Sequence, residues 1–476
     1  MNKTLFALVG ALTLLQACSI THAPKKSTLA PPKQWLASSG AGPVERTWWT
    51  GFGDPVLTRL IDEALARNLD LRLAAARVAE AKALTDAQRS FTLPTIDLGV
   101  GAQRSRSVFV VTGRPILANS ATAQFQVAYE VDLWGRLDAL VAAAQASTDA
   151  AAAARDFVAL SVSAIVADAY FNLRSIDAQL ELARETLESR ARSLALTRSR
   201  EASGYGGMLE TAEAEAAYQA TAQVIPQLEM ARERQERALN VLLARNPAPV
   251  ERGLELRAIA VRELPNAGVP SELLRRRPDI ASAEFRIAAA DAQYSAAKAR
   301  MLPSVQLVGA LGAVTSSVLS GDPFAVWSLG GSILAPIYNG GRLRALANAS
   351  SSQLDQALIA YEHAVITSFA EVESLLTAYV KLREEAAKAE AQRRAVAEAL
   401  RIAHDRYLEG YSSYLEELLA QRSLFIVDQN LLQLRSALLS TEVNLYRALG
   451  GGWERTVSSE GTGGNSRVAP SSLSAK

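Results

Sequence analysis

Two stretches decide the fold: Thr92-Leu-Pro-Thr-Ile-Asp-Leu98 and Met301-Leu-Pro-Ser-Val-Gln-Leu307. Each follows a helical pattern and begins a run in which apolar and polar residues alternate. Pro94 of the first stretch matches Pro303 of the second at an offset of 209 (303 − 94). The match indicates that one helix-to-strand junction occurs twice in the chain.

Two further matches follow in the same order. Leu133-Trp-Gly-Arg-Leu137 matches Asn339-Gly-Gly-Arg-Leu343 at an offset of 206 (339 − 133), and Gly204-Tyr205 matches Gly410-Tyr411, again at 206 (410 − 204). Three ordered matches at nearly one spacing indicate a tandem duplication. A duplicated unit of long helices and alternating strands suggests a symmetric object, a ring or a tube.

Each copy is predicted to contain one β-hairpin, at about 93–133 and about 302–337. Ile96, Leu98 and Val100 alternate with polar or small residues, and this period of two predicts a half-buried strand. Each strand has about ten residues or more, which is enough to cross a bilayer when tilted. Four strands cannot close a barrel, so their edges need partners, which identical chains can supply. The alternative is a pair of soluble hairpins that pack on another element.

The rest of each copy predicts helices. Helical patterns in the first copy cover about Val56–Ser90, Arg136–Arg174, Ile176–Ala202 and Leu209–Ala244. Those of the second copy include Arg342–Leu382, Arg383–Glu409 and Tyr414–Leu449. The glycine-containing breaks at 204–207 and 410–413 are predicted to be helix-hairpin turns.

The last helix carries two adjacent apolar series. One series follows a spacing of three and four residues: Leu424, Val427, Leu431, Leu434, Leu438 and Leu445. The other repeats every seven residues: Leu418, Phe425, Leu432, Leu439 and Tyr446. One series makes a two-stranded coil, whereas two let a helix pack a neighbour on each side. A cylinder of helices is favoured over a compact bundle, because the helices are long and lead into strand hairpins of one length.

The N-terminus predicts a lipoprotein signal. Lys3 precedes an apolar stretch, and Leu15-Gln-Ala-Cys18 resembles the site at which the signal is removed and the cysteine is acylated. The prediction is that residues 1–17 are lost, Cys18 is lipidated, and 18–44 form an extended tether. Ser19 favours the outer membrane as the destination. The alternative is an ordinary secretory signal with an unrelated cysteine.

The duplication and the signal together predict the domain layout. The first structural repeat is expected over 45–245, a linker over 246–270 and the second repeat over 271–453. The Ser- and Gly-rich tail, 454–476, is expected to be disordered and dispensable.

Composition excludes several classes of function. The chain has 50 basic and 49 acidic residues, which gives no case for a nucleic-acid partner. The single cysteine allows no internal disulfide. No later segment has about 18 uninterrupted apolar residues, so no membrane-spanning helix is expected. The three histidines form no metal spacing, and no nucleophile elbow or phosphate loop is present, so we predict no enzyme, cofactor or metal site.

Four strings in order resemble one protein family. They are Tyr129-Glu-Val-Asp-Leu-Trp-Gly-Arg136, Leu274-Arg-Arg-Arg-Pro-Asp-Ile280, Ala420-Gln-Arg-Ser-Leu-Phe425 and Val443-Asn-Leu-Tyr-Arg-Ala-Leu-Gly-Gly-Gly-Trp453. The chain resembles the bacterial outer-membrane factors, the tunnel proteins of tripartite efflux and type I secretion, and most closely the lipidated branch that serves drug-efflux pumps.

The resemblance implies an α+β membrane protein that works as a homotrimer. Each chain would give four strands to one shared transmembrane β-barrel and its helices to a long α-helical periplasmic barrel. A periplasmic adaptor protein would dock at the turns formed by Gly204, Tyr205, Gly206, Gly410 and Tyr411, and link them to an inner-membrane RND-type pump. The tube itself would conduct small molecules passively.

The resemblance also places a gate at the periplasmic tips. Tyr407 matches the family's gate tyrosine, and Glu210 matches an acid opposite it. Glu213 lies in the same region. Where relatives carry an acidic ring, this chain has Leu419. Either Glu416 or Glu417 replaces that ring, or Leu419 forms an apolar constriction.

Other functions remain open from sequence. Within the family, the alternatives are a type I secretion duct or a metal-efflux duct, although no His/Met-rich stretch favours copper or silver. Outside the family, the alternative is a lipoprotein that scaffolds the envelope through coiled coils without conducting.

Overall fold

The computed structural model describes residues 27, 29–37, 40, 44–109, 113–262, 265–318 and 323–454. The predicted signal peptide, Cys18 and nearly all of the predicted tail lie outside these residues. The helices are α1 (Pro55–Arg67), α2 (Leu69–Ser90), α3 (Arg136–Ala202), α4 (Met208–Leu242), α5 (Pro270–Arg276), α6 (Pro278–Ala299), α7 (Arg342–Leu408) and α8 (Tyr414–Ala448). The strands are β1 (Thr95–Phe109), β2 (Arg114–Val131), β3 (Ser304–Ser316) and β4 (Phe324–Leu334), and a short 3-10 helix covers Trp48–Phe52.

Matching helices of the two copies have equal lengths. The helices before the strands, α2 and α6, have 22 residues each. The long helices α3 and α7 have 67 residues each, and α4 and α8 have 35 each. At 1.5 Å per residue, α3 and α7 are each about 100 Å long. The duplicated α+β fold predicted from the sequence is confirmed.

The long helices correct one prediction. We expected breaks after Arg174 and Leu382, but α3 and α7 run through both positions. The reason is local: neither position has a proline or glycine to interrupt the helix. The charge at the first position is satisfied on the helix itself, where Arg174 pairs with Asp177 three residues on at 2.8 Å.

A second correction concerns the first predicted helix. Val56–Ser90 is interrupted at Asn68, whose backbone is extended (φ −52°, ψ 134°). The Asn68 side chain accepts hydrogen bonds from the backbone N–H groups of Asp70 and Leu71 at 2.9 and 3.1 Å. Asparagine is a favoured N-cap residue, so it ends α1 and starts α2 in a single residue.

The helices lie side by side in one layer. On the side of the sheet the order is α2, α3, α6, α7, and on the opposite side it is α4, α3, α8, α7. The last helix, α8, therefore packs between α3 and α7, as its two apolar series predicted. In both orders α7 is the last helix and does not pack back against the first one. The layer is therefore open, as part of a cylinder wall would be, and is not a closed bundle.

One described helix passes a composition test for crossing a membrane. An 18-residue window of α3 has a mean hydropathy of 1.6, and 39% of that window is buried in the chain. This differs from the expectation that no such helix is present. That expectation required an uninterrupted apolar run, whereas the mean hydropathy of the window stays high because its alanines and other apolar residues outweigh its few polar ones. Since α3 packs against other helices along its length, we assign it to the helical layer.

The sheet has four antiparallel strands in chain order, β1-β2-β3-β4. Its junction with α3 is fixed by Asp132, whose carboxylate accepts from the backbone N–H groups of Arg136, Leu137 and Asp138 at 2.7 to 2.9 Å. Trp134 donates its indole N–H to the carbonyl of Pro303 at 2.6 Å, which ties the two hairpins together. These hydrogen bonds hold the sheet in a fixed orientation relative to α3.

The main core lies where the 3-10 helix and α1 meet the middle of α3 and the C-terminal ends of α4 and α8. Trp48 stacks on Tyr446 with 5.5 Å between ring centroids. Asp54 caps α1 and also accepts from the hydroxyl of Tyr170 at 2.7 Å and the backbone N–H of Leu254 at 2.9 Å. These contacts join the first helix, α3 and the segment between the repeats.

Part of the predicted tether packs against the body of the protein. Trp35 lies edge-on against Phe369 of α7 and donates to the carbonyl of Gly268 at 2.9 Å. Glu373 accepts from the backbone N–H groups of Leu36 and Ala37 at 3.1 and 2.6 Å. The segment therefore runs along α7.

A buried arginine joins three helices. Arg277, with 5% of its side chain exposed, pairs with Asp279 and with Glu371 of α7 at 2.7 Å each, and donates to the carbonyl of Ala448 in α8 at 2.9 Å. Burial alone lowers the pKa of Arg277, but the hydrogen bonds and charges of the two acids outweigh it and raise the pKa.

We predict that Arg277→Met destabilises the protein by about 3 kcal/mol, because the half-buried carboxylates of Asp279 and Glu371 lose the buried arginine that they share, and Glu371 keeps only Arg447. The measurement is chemical unfolding in detergent, followed by circular dichroism. The control is Arg276→Met, because Arg276 is 41% exposed and pairs only with Glu272 among the described residues. Equal stabilities of the two variants would contradict the prediction.

A buried acid on α8 makes stability depend on pH. Glu442 is fully buried, and one of its oxygens accepts from the backbone N–H of Arg262 at 3.2 Å. Burial raises the pKa of Glu442 from 4.5 to about 7, although the hydrogen bond and charge of Arg262 oppose the shift. Between these two values the folded state holds more protons than the unfolded state, so stability falls as the pH rises.

We predict that Glu442→Gln is more stable than the wild type at pH 8, by on the order of 3 kcal/mol, and not at pH 4.5. Melting followed by tryptophan fluorescence at both pH values measures the difference. Glu384→Gln, at an exposed position on α7, controls for the loss of one charge. A stability difference that does not change between the two pH values would refute the prediction.

Candidate functional site

One face of the sheet is apolar and exposed. Leu98, Phe125, Leu311 and Trp327 lie opposite one another in register across all four strands. All four are exposed, and Trp327 has 78% of its surface accessible. A continuous apolar surface that crosses all four strands is unfavourable in water and indicates contact with an apolar environment.

The apolar face has the height of a membrane. On β2 it extends from Val131 to Ala121, which is ten residue steps of about 3.3 Å, or about 33 Å along the strand. A strand tilted by about 40° would cover about 25 Å of membrane thickness, the typical height of the apolar band of an outer-membrane barrel.

The opposite face of the sheet is mostly polar or small, although it also carries Val308, Val326 and Leu334 on β3 and β4. It carries Gln124, Gln126 and Glu130 of β2, with Ser328 and Ser332 of β4 in the neighbouring rows. Gly312 of β3 belongs to this face, and a Cβ there would collide with the carbonyl oxygen of Ala123. This face suits contact with water.

The edges of the sheet are open. In the described chain β1 pairs only with β2, and β4 pairs only with β3. Each edge strand therefore presents a row of backbone N–H and C=O groups without a strand partner. Closure of the sheet requires strands from elsewhere.

At the opposite end of the helices, two turns have the same geometry. Gly204 and Gly410 have positive φ angles of 76° and 80°, a conformation that favours glycine. Tyr205 and Tyr411 donate their backbone N–H groups to the carbonyls of Arg200 and Arg406 at 2.9 and 2.8 Å. Both turns are Schellman motifs, which end α3 and α7 sharply and send the chain back.

The turn regions expose large side chains. Tyr205 is 88% exposed and Tyr411 is 78% exposed, and both project from their turns. Met208 and Leu209 at the start of α4 are also exposed. These residues form an accessible, mainly apolar surface that includes the predicted docking turns, with Gly206 half-buried beneath it.

Two tyrosines form a small core behind the turns. Tyr407 and Tyr414 pack with 5.5 Å between ring centroids, together with Leu194 and Ala214. Burial raises the pKa of Tyr414 to about 12, and the charge of Glu417 adds to this effect. Burial also raises the pKa of Tyr407, Arg200 opposes the shift, and Glu210 adds to it. The Tyr407 hydroxyl is buried and has no hydrogen-bond partner among the described residues.

An arginine that the sequence analysis missed joins the two turns. The Arg200 guanidinium lies over the Tyr407 ring, 4.4 Å from its centroid. It also donates to the carbonyls of Tyr407 and Leu408 at 3.4 Å each, at the C-terminus of α7. A cation is favourable at this helix end. Arg200 matches Arg406 at the offset of 206 (406 − 200), a repeated position that could have drawn attention to it.

The predicted acids have different surroundings. Glu416 is exposed and lies 3.7 Å from Arg406. Glu417 is buried, 3% exposed, and accepts from Gln421 at 2.8 Å and lies 3.0 Å from His404 Nδ1. Of the two candidates for the acidic ring, Glu416 is thus the exposed one and Glu417 the buried one.

The remaining predicted tip residues lie nearby. Leu419 is 55% exposed, and Glu210 and Glu213 are half-buried on the first turns of α4. The chain brings Tyr407 and Glu210 close enough to interact by charge. Cys18, the predicted lipidation site, lies outside the described part of the chain.

The comparisons with known proteins agree with this geometry. The sequence profile of the outer membrane efflux protein family matches residues 60–245 and 269–451. The pyoverdine export outer membrane protein OpmQ of Pseudomonas aeruginosa is 33% identical, over 95% of this chain and 98% of its own. The toluene efflux pump outer membrane protein TtgC of Pseudomonas putida is also 33% identical, over 95% of this chain and 96% of its own.

A solved structure has the same fold. The outer-membrane channel OprN superposes with a TM-score of 0.84 at 30% identity, covering 92% of this chain and all of OprN. The repeats, the sheet and the turns described above all lie within the matched part of the chain. The chain therefore belongs to the outer membrane efflux protein family and is an outer-membrane exit channel.

Proposed function

We propose that three copies of this chain form one duct, which passively conducts small molecules from an inner-membrane RND-type pump and a periplasmic adaptor to the outside. Each copy gives four strands to a barrel of twelve and its helical layer to a periplasmic cylinder. The observation that carries the proposal is the open-edged sheet with one apolar face and one polar face.

Closure by identical chains follows from hydrogen bonding. In a bilayer no water is available for the backbone groups of β1 and β4, so an open edge there is very unfavourable. Strand order alternates in direction through the chain, so β4 of one copy can pair antiparallel with β1 of the next. Twelve strands leave room for a lumen, which the polar face would line.

The cargo is inferred only as a class. The relatives are named for export of pyoverdine and of toluene, which differ widely in polarity. Such variety supports a duct that does not select strongly and leaves selection to the pump. The mixed polar and small residues of the inner sheet face would bind any one molecule weakly.

The adaptor is proposed to dock on the two turns. The exposed side chains of Tyr205, Tyr411, Met208 and Leu209 provide an apolar surface at the end remote from the sheet. Apolar and aromatic residues of this kind are typical of interface centres. Because the turns also end the gate helices, docking can be coupled to opening.

A lipid anchor at Cys18 fits the reach of the chain. Ser27 donates to Glu362 at 2.8 Å, which places it 20 residues, or about 30 Å, along α7 from the end nearest the sheet. Ser27 lies nine residue steps after Cys18 (27 − 18), and nine extended steps span about 30 Å. An acylated Cys18 could therefore reach the membrane surface at the base of the sheet.

The gate is proposed to close at the turns, held within each chain by Arg200. Contact of a guanidinium with an aromatic ring contributes about 1 kcal/mol. Loss of that contact would shift the ratio of closed to open tips by about fivefold.

We predict that Arg200→Gln raises the conductance of purified protein in planar bilayers, and that Tyr407→Phe with Glu210→Gln does the same. Arg198→Gln is the matched control, because Arg198 lies on the same helix and pairs with Glu215 of its own hairpin at 2.5 Å. It should behave as the wild type.

Two results would count against different parts of the proposal. Silence of the wild type and of every variant in correctly inserted protein would favour a scaffold over a duct. Channels whose conductance is the same in all the variants would keep the duct but remove the gate from Arg200, Tyr407 and Glu210.

A further inference from the structure

The apolar face of the sheet carries only two charged residues in its described strands, and both are arginines. Arg104 and Arg106 lie on β1, on the same face as Leu98 and Val100, because side chains alternate along a strand. Both are exposed, and neither has an ion-pair partner among the described residues. The acids of the described strands, Asp97 and Glu130, lie on the other face.

The position of the two arginines is set by the register. Arg104 lies opposite Asn119 and Arg106 lies opposite Leu117, whereas β3 ends at Ser316, opposite Ser120. The pair therefore lies just beyond the rows that cross all four strands. It is at the end of the sheet remote from the helices, which is the outer surface if the sheet is inserted as proposed above.

We propose that Arg104 and Arg106 bind the phosphate groups of the outer-leaflet lipid. Their Cα atoms are about 7 Å apart on one face, so both guanidinium groups can reach the same headgroup. Guanidinium binds phosphate through two parallel hydrogen bonds. The absence of any acidic side chain on this face of the described strands leaves the charge of the pair free for an anion.

The location distinguishes this site from a simple solvated surface. An arginine facing lipid is costly at the centre of a membrane and nearly neutral at its border. Both arginines lie at that border, on the side that faces lipid rather than the lumen. In the proposed trimer, three such pairs would surround the barrel and fix its depth.

The test measures lipid binding to full-length protein in detergent by native mass spectrometry. The probes are lipid A with two phosphates and lipid A with both phosphates removed. The variant is Arg104→Gln with Arg106→Gln. The matched control is Arg114→Gln, because Arg114 lies at the same end of the sheet but on the opposite face.

The wild type should prefer the phosphorylated lipid, and the double variant should bind it about 25-fold more weakly, because each arginine contributes about fivefold. Arg114→Gln should bind as the wild type. Millimolar inorganic phosphate should not displace the lipid.

Three results would overturn the proposal: unchanged binding by the double variant, an equal loss in Arg114→Gln, or displacement by inorganic phosphate. The last would indicate a general anion site. The site rests on insertion of the sheet, so subunit number and conductance are measured on the same samples. The double variant should keep both, whereas a wild type that lacks both would contradict the proposed function instead.

Discussion

The two open edges of the sheet are the constraint on which the rest of the structure depends. Every backbone N–H and C=O group within a membrane must be hydrogen-bonded by protein, because lipid tails offer no partner. Four strands with one apolar face satisfy this requirement internally for β2 and β3 and leave it unmet for β1 and β4. Association of identical chains supplies the missing hydrogen bonds without any other protein, since each copy carries both a β1 edge and a β4 edge.

The helices transmit this symmetry over about 100 Å. Equal lengths of α3 and α7, and of α4 and α8, keep the two turns level with each other at the far end. The repeats differ where function requires it: Arg200 joins one turn to the other, whereas its counterpart Arg406 lies near Glu416. The duplication thus builds the tube, and local divergence builds the proposed gate.

Features that depend on local sequence were predictable. The period of two around Leu98 and the repeated Gly204 and Gly410 gave the strands and the turns, because each follows from a residue's own backbone preference. The helix break at Asn68 was missed because capping competes with a continuing apolar pattern. The breaks expected near Arg174 and Leu382 were wrong, since a change of polarity along a helix does not end it.

Features that depend on distant residues were not predictable. The burial of Glu417 and the contact of Arg200 with Tyr407 arise only when α3, α7 and α8 pack together. Likewise, the four-part network of Arg277 joins residues separated by up to 171 positions, and no local pattern encodes it. The resemblance pointed to Tyr407 as the proposed gate tyrosine, whereas its contact with Arg200 is seen only in the structure.

Cysteine cross-linking between the sheet edges tests the central claim most directly. A cysteine replacing Leu98 on β1 is combined, in turn, with one replacing Ala325, Trp327 or Leu329 on β4, and Cys18 is kept, because an acylated cysteine has no free thiol to cross-link. If β4 of each copy pairs with β1 of the next, at least one pair will give a covalent trimer on a denaturing gel, and no single cysteine will. Chains that stay monomeric with every pair, in protein shown to be inserted in membranes, would contradict the account.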